Sequence, residues 1–109
     1  MSKFHSKKVA YDGYLFDSRK ERDYYVTLLA QERAGEVKSI ELQPVFMLQP
    51  GFTKNGKRHR PITYRADFRV RYKDGHEAII DVKGYKTQVF RIKQKMFEYK
   101  YPEKELILE

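Results

Sequence analysis

The triplet Asp81-Val82-Lys83 sets a carboxylate and an ammonium two positions apart. On a strand that spacing points both side chains to one face. The pairing suits phosphodiester hydrolysis: acidic oxygens hold a hard divalent cation, and the lysine orients a water, helps deprotonate it, or neutralises charge growing on the phosphate. A second carboxylate, Asp67, stands in the preceding run, and Glu21 supplies a third. Plainer readings compete at each position. Asp81 and Lys83 could be an ion pair on a solvated strand, and Asp67 could pair with Arg65 or Arg69, contacts worth at most about 1 kcal/mol when exposed. Glu21 could merely close a Ser18-x-x-Glu21 capping box.

The elements around these residues decide whether they meet. Residues 64 to 72 alternate, with Tyr64, Ala66, Phe68, Val70 and Tyr72 on one face and Arg65, Asp67, Arg69 and Arg71 on the other. Residues 77 to 83 alternate too, setting Ala78, Ile80 and Val82 opposite Glu77, Ile79, Asp81 and Lys83. Lys73-Asp74-Gly75 joins the two runs, and its geometry fixes the register. A three-residue loop with a left-handed Gly75 pairs 72 with 76 and therefore 67 with 81, with β-carbons about 4.5 to 5.5 Å apart. A two-residue Asp74-Gly75 turn sets Asp67 opposite Val82 instead.

Ser18 to Ala34 is rich in helix formers and Gly35 is a natural stop, so a first helix is predicted there. At about 100° per residue Glu21 falls on the side of Tyr25 and Leu28, pointing inward. Residues 37 to 49, interrupted by Pro44, read as an edge strand or a bulged one. Residues 51 to 61 hold an Asn-Gly turn with Lys54, Lys57, Arg58, His59 and Arg60, a cationic loop suited to phosphate contact. Tyr11-Asp12-Gly13-Tyr14 carries a tight-turn signal, which leaves residues 1 to 10 as a flexible basic arm and 11 to 109 as a single domain. Thr87 can cap a second helix running to about Lys100, which Pro102 stops. Lys93 lies there among Val89, Phe90 and Met96, either snorkelling or facing a site. Residues 104 to 109 complete an order of helix, three strands, helix and strand, an α/β fold with a central mixed sheet flanked by helices.

Composition bounds the partners. The chain has 109 residues, enough for one core. Lys and Arg number 23 against 15 Asp and Glu, a net charge of +8 that favours a polyanion, with nucleic acid foremost. Cysteine is absent, so thiolate nucleophiles, disulfides and Cys-based zinc sites are excluded. His5, His59 and His76 lack metal-ligand spacing. No apolar stretch approaches the roughly 20 residues of a membrane span, and MSKFHSKK has no apolar segment after its charges, so a cytoplasmic protein is expected.

Ala66-Asp67-Phe68 followed by IIDVKG at 79 to 84 resembles the core of the PD-(D/E)XK nucleases, with Ala66 where that name expects proline. YDGYLFDSRKE at 11 to 21, LQP at 42 to 44 and DVKGYKT at 81 to 87 extend the resemblance to small phage and prophage nucleases similar to Holliday junction resolvases. The resemblance implies a restriction-endonuclease-like αβββαβ core, in which Asp67, Asp81 and the Val82 carbonyl hold Mg²⁺ or Mn²⁺. It implies that Lys83 is the catalytic lysine, that Glu21 is the acidic residue of the first helix, and that Gln43 and Lys93 support them. DNA contacts are expected from Lys54, Lys57, Arg58, Arg60 and Lys86. The substrate would be branched DNA, cut by a homodimer, because resolving a junction needs two symmetric cuts. The alternatives are a nicking or flap nuclease and a non-catalytic basic DNA-binding module.

Overall fold

The computed structural model describes residues 8–82 and 86–109. β1 (Val9–Tyr11) and β2 (Tyr14–Phe16) form an antiparallel hairpin. Its turn needs positive φ at both central residues, and Asp12 (54°) and Gly13 (81°) supply it. The strand takes in Val9 and Ala10, which the sequence reading assigns to the basic arm, and Lys8 ion-pairs with Asp17 at 2.8 Å. Residues 1–7 of that arm lie outside the described residues.

Helix α1 (Arg19–Arg33) begins where Ser18 Oγ accepts from the Glu21 N–H at 3.1 Å and ends before Gly35, whose φ is +85°. It buries Glu21, Tyr25 and Leu28, the inward stripe that the helical spacing predicts. Removing the cap hydroxyl orphans a first-turn donor. Ser18→Ala is therefore expected to lower stability by about 1 kcal/mol, read from denaturant melts; an unchanged midpoint would show that the cap contributes nothing.

The run 37 to 49 is two strands in two sheets, β3 (Val37–Leu42) and β4 (Val45–Gln49), rather than one edge strand. They part at Gln43, which takes a positive φ of 53°, and at Pro44, which has no N–H to continue a ladder. β5 (Phe52–Lys54) and β6 (Lys57–His59) form the cationic hairpin, turning at Asn55 and Gly56. β7 (Ile62–Arg65) returns to pair with β4.

Residues 64 to 72 also divide, into β7 and β8 (Phe68–Tyr72), and the predicted single face switches between them. Tyr64 and Ala66 pack with Phe46, Ile79, Phe90 and Phe97, whereas Phe68 and Val70 pack with Phe16, Tyr25, Leu28 and Ile80. The cause is a change of sheet: Ala66 N–H donates to Pro44 O at 3.1 Å, and the very next N–H, of Asp67, donates to Ile80 O at 3.1 Å.

β9 (Glu77–Asp81), α2 (Gln88–Lys100, capped by Thr87 Oγ1) and β10 (Glu105–Leu108) complete the chain. The central sheet runs β10-β9-β8-β3, antiparallel except for the parallel β9/β10 pair. Without the two small hairpins and the β4/β7 pair, its elements follow the order α1, β3, β8, β9, α2, β10. Consecutive residues of β9 serve opposite cores: Ile80 faces the α1 side and Ile79 the α2 side, each wholly buried. Burying such a side chain stabilises by about 1.5 to 3 kcal/mol. The β8/β9 loop is the three-residue form, with Gly75 at φ +95° and Tyr72 N–H on His76 O at 2.9 Å.

Candidate active site

The register left open by sequence is settled by that loop. Phe68 pairs with Ile80, and Leu42 pairs with Phe68, so Gln43, Asp67 and Asp81 follow at the same end of three adjacent strands. Asp67 is not a regular ladder partner of Asp81, because its N–H turns to Ile80 O, while its own carbonyl accepts from Gln43 N–H at 2.9 Å. The left-handed Gln43 and the irregular Asp67 thus brace each other where the chain leaves the sheet.

This irregularity aims the Asp67 carboxylate. Its Oδ2 accepts from the Val82 N–H at 2.7 Å, and the carboxyl also hydrogen-bonds with that of Asp81. Asp81 is wholly buried and receives the Tyr64 hydroxyl on its Oδ2. A solvated ion pair is therefore the wrong description of Asp81. Arg69 pairs with Glu41 at 3.5 Å rather than with Asp67.

Glu21 joins from α1, only 3% exposed. Its backbone N–H donates to the Ser18 cap while its side chain is buried, so Ser18 capping and an inward-facing Glu21 coexist. A cavity of about 400 Å³ is lined by Glu21, Gln43 and Asp67 together with residues of the β1/β2 hairpin. Asp81 and Val82 are not in its wall and reach it through their hydrogen bonds with Asp67.

The electrostatics follow from burial. Desolvation first, then the Asp81 charge, the hydrogen bond with Asp81 and the Glu21 charge push the Asp67 carboxyl up to about 8, against the Val82 N–H. Burial, the bond to Asp81 and the two aspartate charges hold the Tyr64 phenol far above its ordinary range. Two carboxyls sharing a hydrogen bond need a proton between them, and a divalent cation can replace that proton. Among the described residues no group of three or more His, Cys, Asp and Glu side chains is arranged as a ligand set. The donors present still fit Mg²⁺ or Mn²⁺, since Mg²⁺ is commonly held by one or two carboxylates, with waters and phosphate completing the shell.

The chain belongs to the family described as "Protein of unknown function (DUF1064)", which it matches over residues 1–108. No curated protein and no solved structure matches it. Among the described residues of this DUF1064 chain, no helix is long and apolar enough to cross a membrane.

None of the other predicted site residues of the DUF1064 chain that the structure describes lines the cavity. Lys83 lies outside the described residues. Lys93 is half-buried on α2 and does not line the cavity. Lys54, Lys57, Arg58 and Arg60 are exposed along the β5/β6 hairpin and its exit, and Lys86 is exposed ahead of α2. Sequence reasoning missed Tyr64 as the partner of Asp81. Alternation runs unbroken through Ala66 and Asp67, so nothing local marks the switch that turns Tyr64 toward Asp81.

Proposed function

We propose that this chain is a metal-dependent DNA endonuclease of the PD-(D/E)XK type with a restriction-endonuclease-like αβββαβ core. The observation that carries the reading is the pairing of partly buried Asp67 with wholly buried Asp81 at one end of the mixed sheet, with Glu21 close enough to raise the Asp67 carboxyl further. Asp67, Asp81 and the Val82 carbonyl would hold Mg²⁺ or Mn²⁺, which when bound supplies an activated water and neutralises phosphate charge. The Val82 N–H fixes the Asp67 carboxylate, and the Tyr64 hydroxyl fixes that of Asp81. Lys83, two positions after Asp81 in the sequence, is assigned to assisting the water, with Glu21, Gln43 and Lys93 as supporting polar groups.

The substrate is branched DNA such as a Holliday junction, met in the cytoplasm of a bacterial host by a phage or prophage protein acting as a homodimer. The reading is tested by incubating the protein with linear duplex, single-stranded, flap and four-way-junction DNA, each with Mg²⁺, Mn²⁺ or chelator. Metal-dependent cleavage greatest on branched DNA is expected, and no cleavage of any substrate refutes the enzyme.

The exposed cations of the β5/β6 hairpin are the duplex contacts in this reading. Replacing Lys54, Lys57, Arg58 and Arg60 together by Ala should flatten the plot of log affinity against log salt by about 3.6 units, each phosphate contact contributing roughly 0.9. A slope equal to wild type would remove the hairpin from the interface.

A further inference from the structure

The cavity in front of Asp67 is far larger than a cation and its waters require. At about 400 Å³ it falls within the range of small-molecule sites, roughly 300 to 1,000 Å³. Its lining includes Glu21 and Asp67 together with Gly13, Tyr14 and Leu15 of the β1/β2 hairpin. Tyr14 is 49% exposed and Leu15 59% exposed. The Tyr14 ring meets Phe16 at 6.5 Å and 61° and Tyr25 at 6.0 Å and 77°, so these neighbours hold it at steep angles. Among the described residues no ring lies parallel on it. Tyr25, whose hydroxyl donates to Asp12 at 3.5 Å, stacks flat on Phe68 and ties the hairpin turn to α1 and the sheet. Tyr14, its ring half exposed and held by these contacts, thereby lines a cavity that Asp67 also lines.

We infer that this cavity receives one unpaired nucleotide beside the cleaved phosphate, with Tyr14 stacked on its base. The inference rests on the nuclease reading and adds the reason for a branched substrate. Stacking on an aromatic ring is sequence-tolerant, because every base has a π-face. A base inside intact duplex must first leave its stack, a cost already met at a branch point or flap. DNA structure rather than sequence is then what the site selects.

The test uses a flap duplex carrying 2-aminopurine at its first unpaired position and a fully paired duplex carrying it internally, both bound in chelator so that nothing is cut. Wild type and Tyr14→Phe should quench the flap probe. Tyr14→Leu, which keeps apolar bulk against Phe16 and Tyr25, should lose the quench and bind the flap about tenfold more weakly, with duplex affinity unchanged. Absence of quenching with wild type overturns the inference without need of any variant. So does an equal loss by Tyr14→Leu on flap and duplex. Because no cleavage is needed, a quench without metal-dependent cleavage sinks the nuclease reading alone, and cleavage without a quench sinks the stacking site alone.

Discussion

Asp81→Asn protein is expected to cut DNA at least about a thousandfold more slowly than wild type, a barrier increase of roughly 4 kcal/mol, while binding DNA as before. The substitution keeps the shape of a wholly buried side chain and an oxygen that can accept from Tyr64. It removes the second negative charge on which a divalent ion depends. It also replaces a carboxyl–carboxyl contact with an amide donor beside the Asp67 oxygen, which relieves repulsion. The variant should therefore melt at or above the wild-type temperature, the trade of stability against function common at active sites. Lys83→Ala should lose cleavage in the same way. Gel assays beside thermal melts separate this from simple unfolding, and retained cleavage by Asp81→Asn would remove the pair from the chemistry.

Metal-free protein should lose stability steadily between pH 5 and pH 9. The Asp67 carboxyl is raised in the folded state from 3.8 to about 8, chiefly by burial and then by Asp81. A group raised on folding holds its proton more tightly in the native state. Its stabilisation is complete below the unfolded value and is lost as pH climbs through the folded one. Asp74, held low by the His76 N–H, and Glu77, where Lys104 and Arg71 outweigh burial, act in the opposite sense and only in acid. The window above pH 5 therefore isolates Asp67. Because Asp67 is only partly buried, we take a loss of about 2 kcal/mol, or roughly 10 °C in Tm. Asp67→Asn should flatten the curve, and Mn²⁺ should restore the wild-type Tm at pH 9. A wild-type Tm independent of pH over this window would contradict the assignment.

Features written in local chemistry were legible from sequence. Ser18 and Gly35 bracket α1, Thr87 and Pro102 bracket α2, and Asp12-Gly13 and Asn55-Gly56 turn hairpins, because caps and left-handed turns depend on the residues that make them. Lys73-Asp74-Gly75 allowed two registers, and the structure takes the three-residue form with Gly75 left-handed, which brings Asp67 to the end of the ladder beside Asp81. Features set by distant pairing were not legible. Residues 37 to 49 and 64 to 72 each read as one strand, yet each crosses between two sheets, at Gln43-Pro44 and at Ala66-Asp67. These breaks lie against each other, joined by the Gln43 N–H to the Asp67 carbonyl, and neither run shows the other to a local reading. The same crossing turned Tyr64 toward Asp81 and made the site.

Titration of the metal-free protein with Mn²⁺ at pH 7 by calorimetry, in buffers of different ionisation enthalpy, tests the acidic pair most directly. Roughly one Mn²⁺ per chain should bind with release of about one proton, and both Asp67→Asn and Asp81→Asn should abolish the binding. Wild-type protein that takes up no Mn²⁺, or variants that bind it as wild type does, would contradict a metal site at this pair.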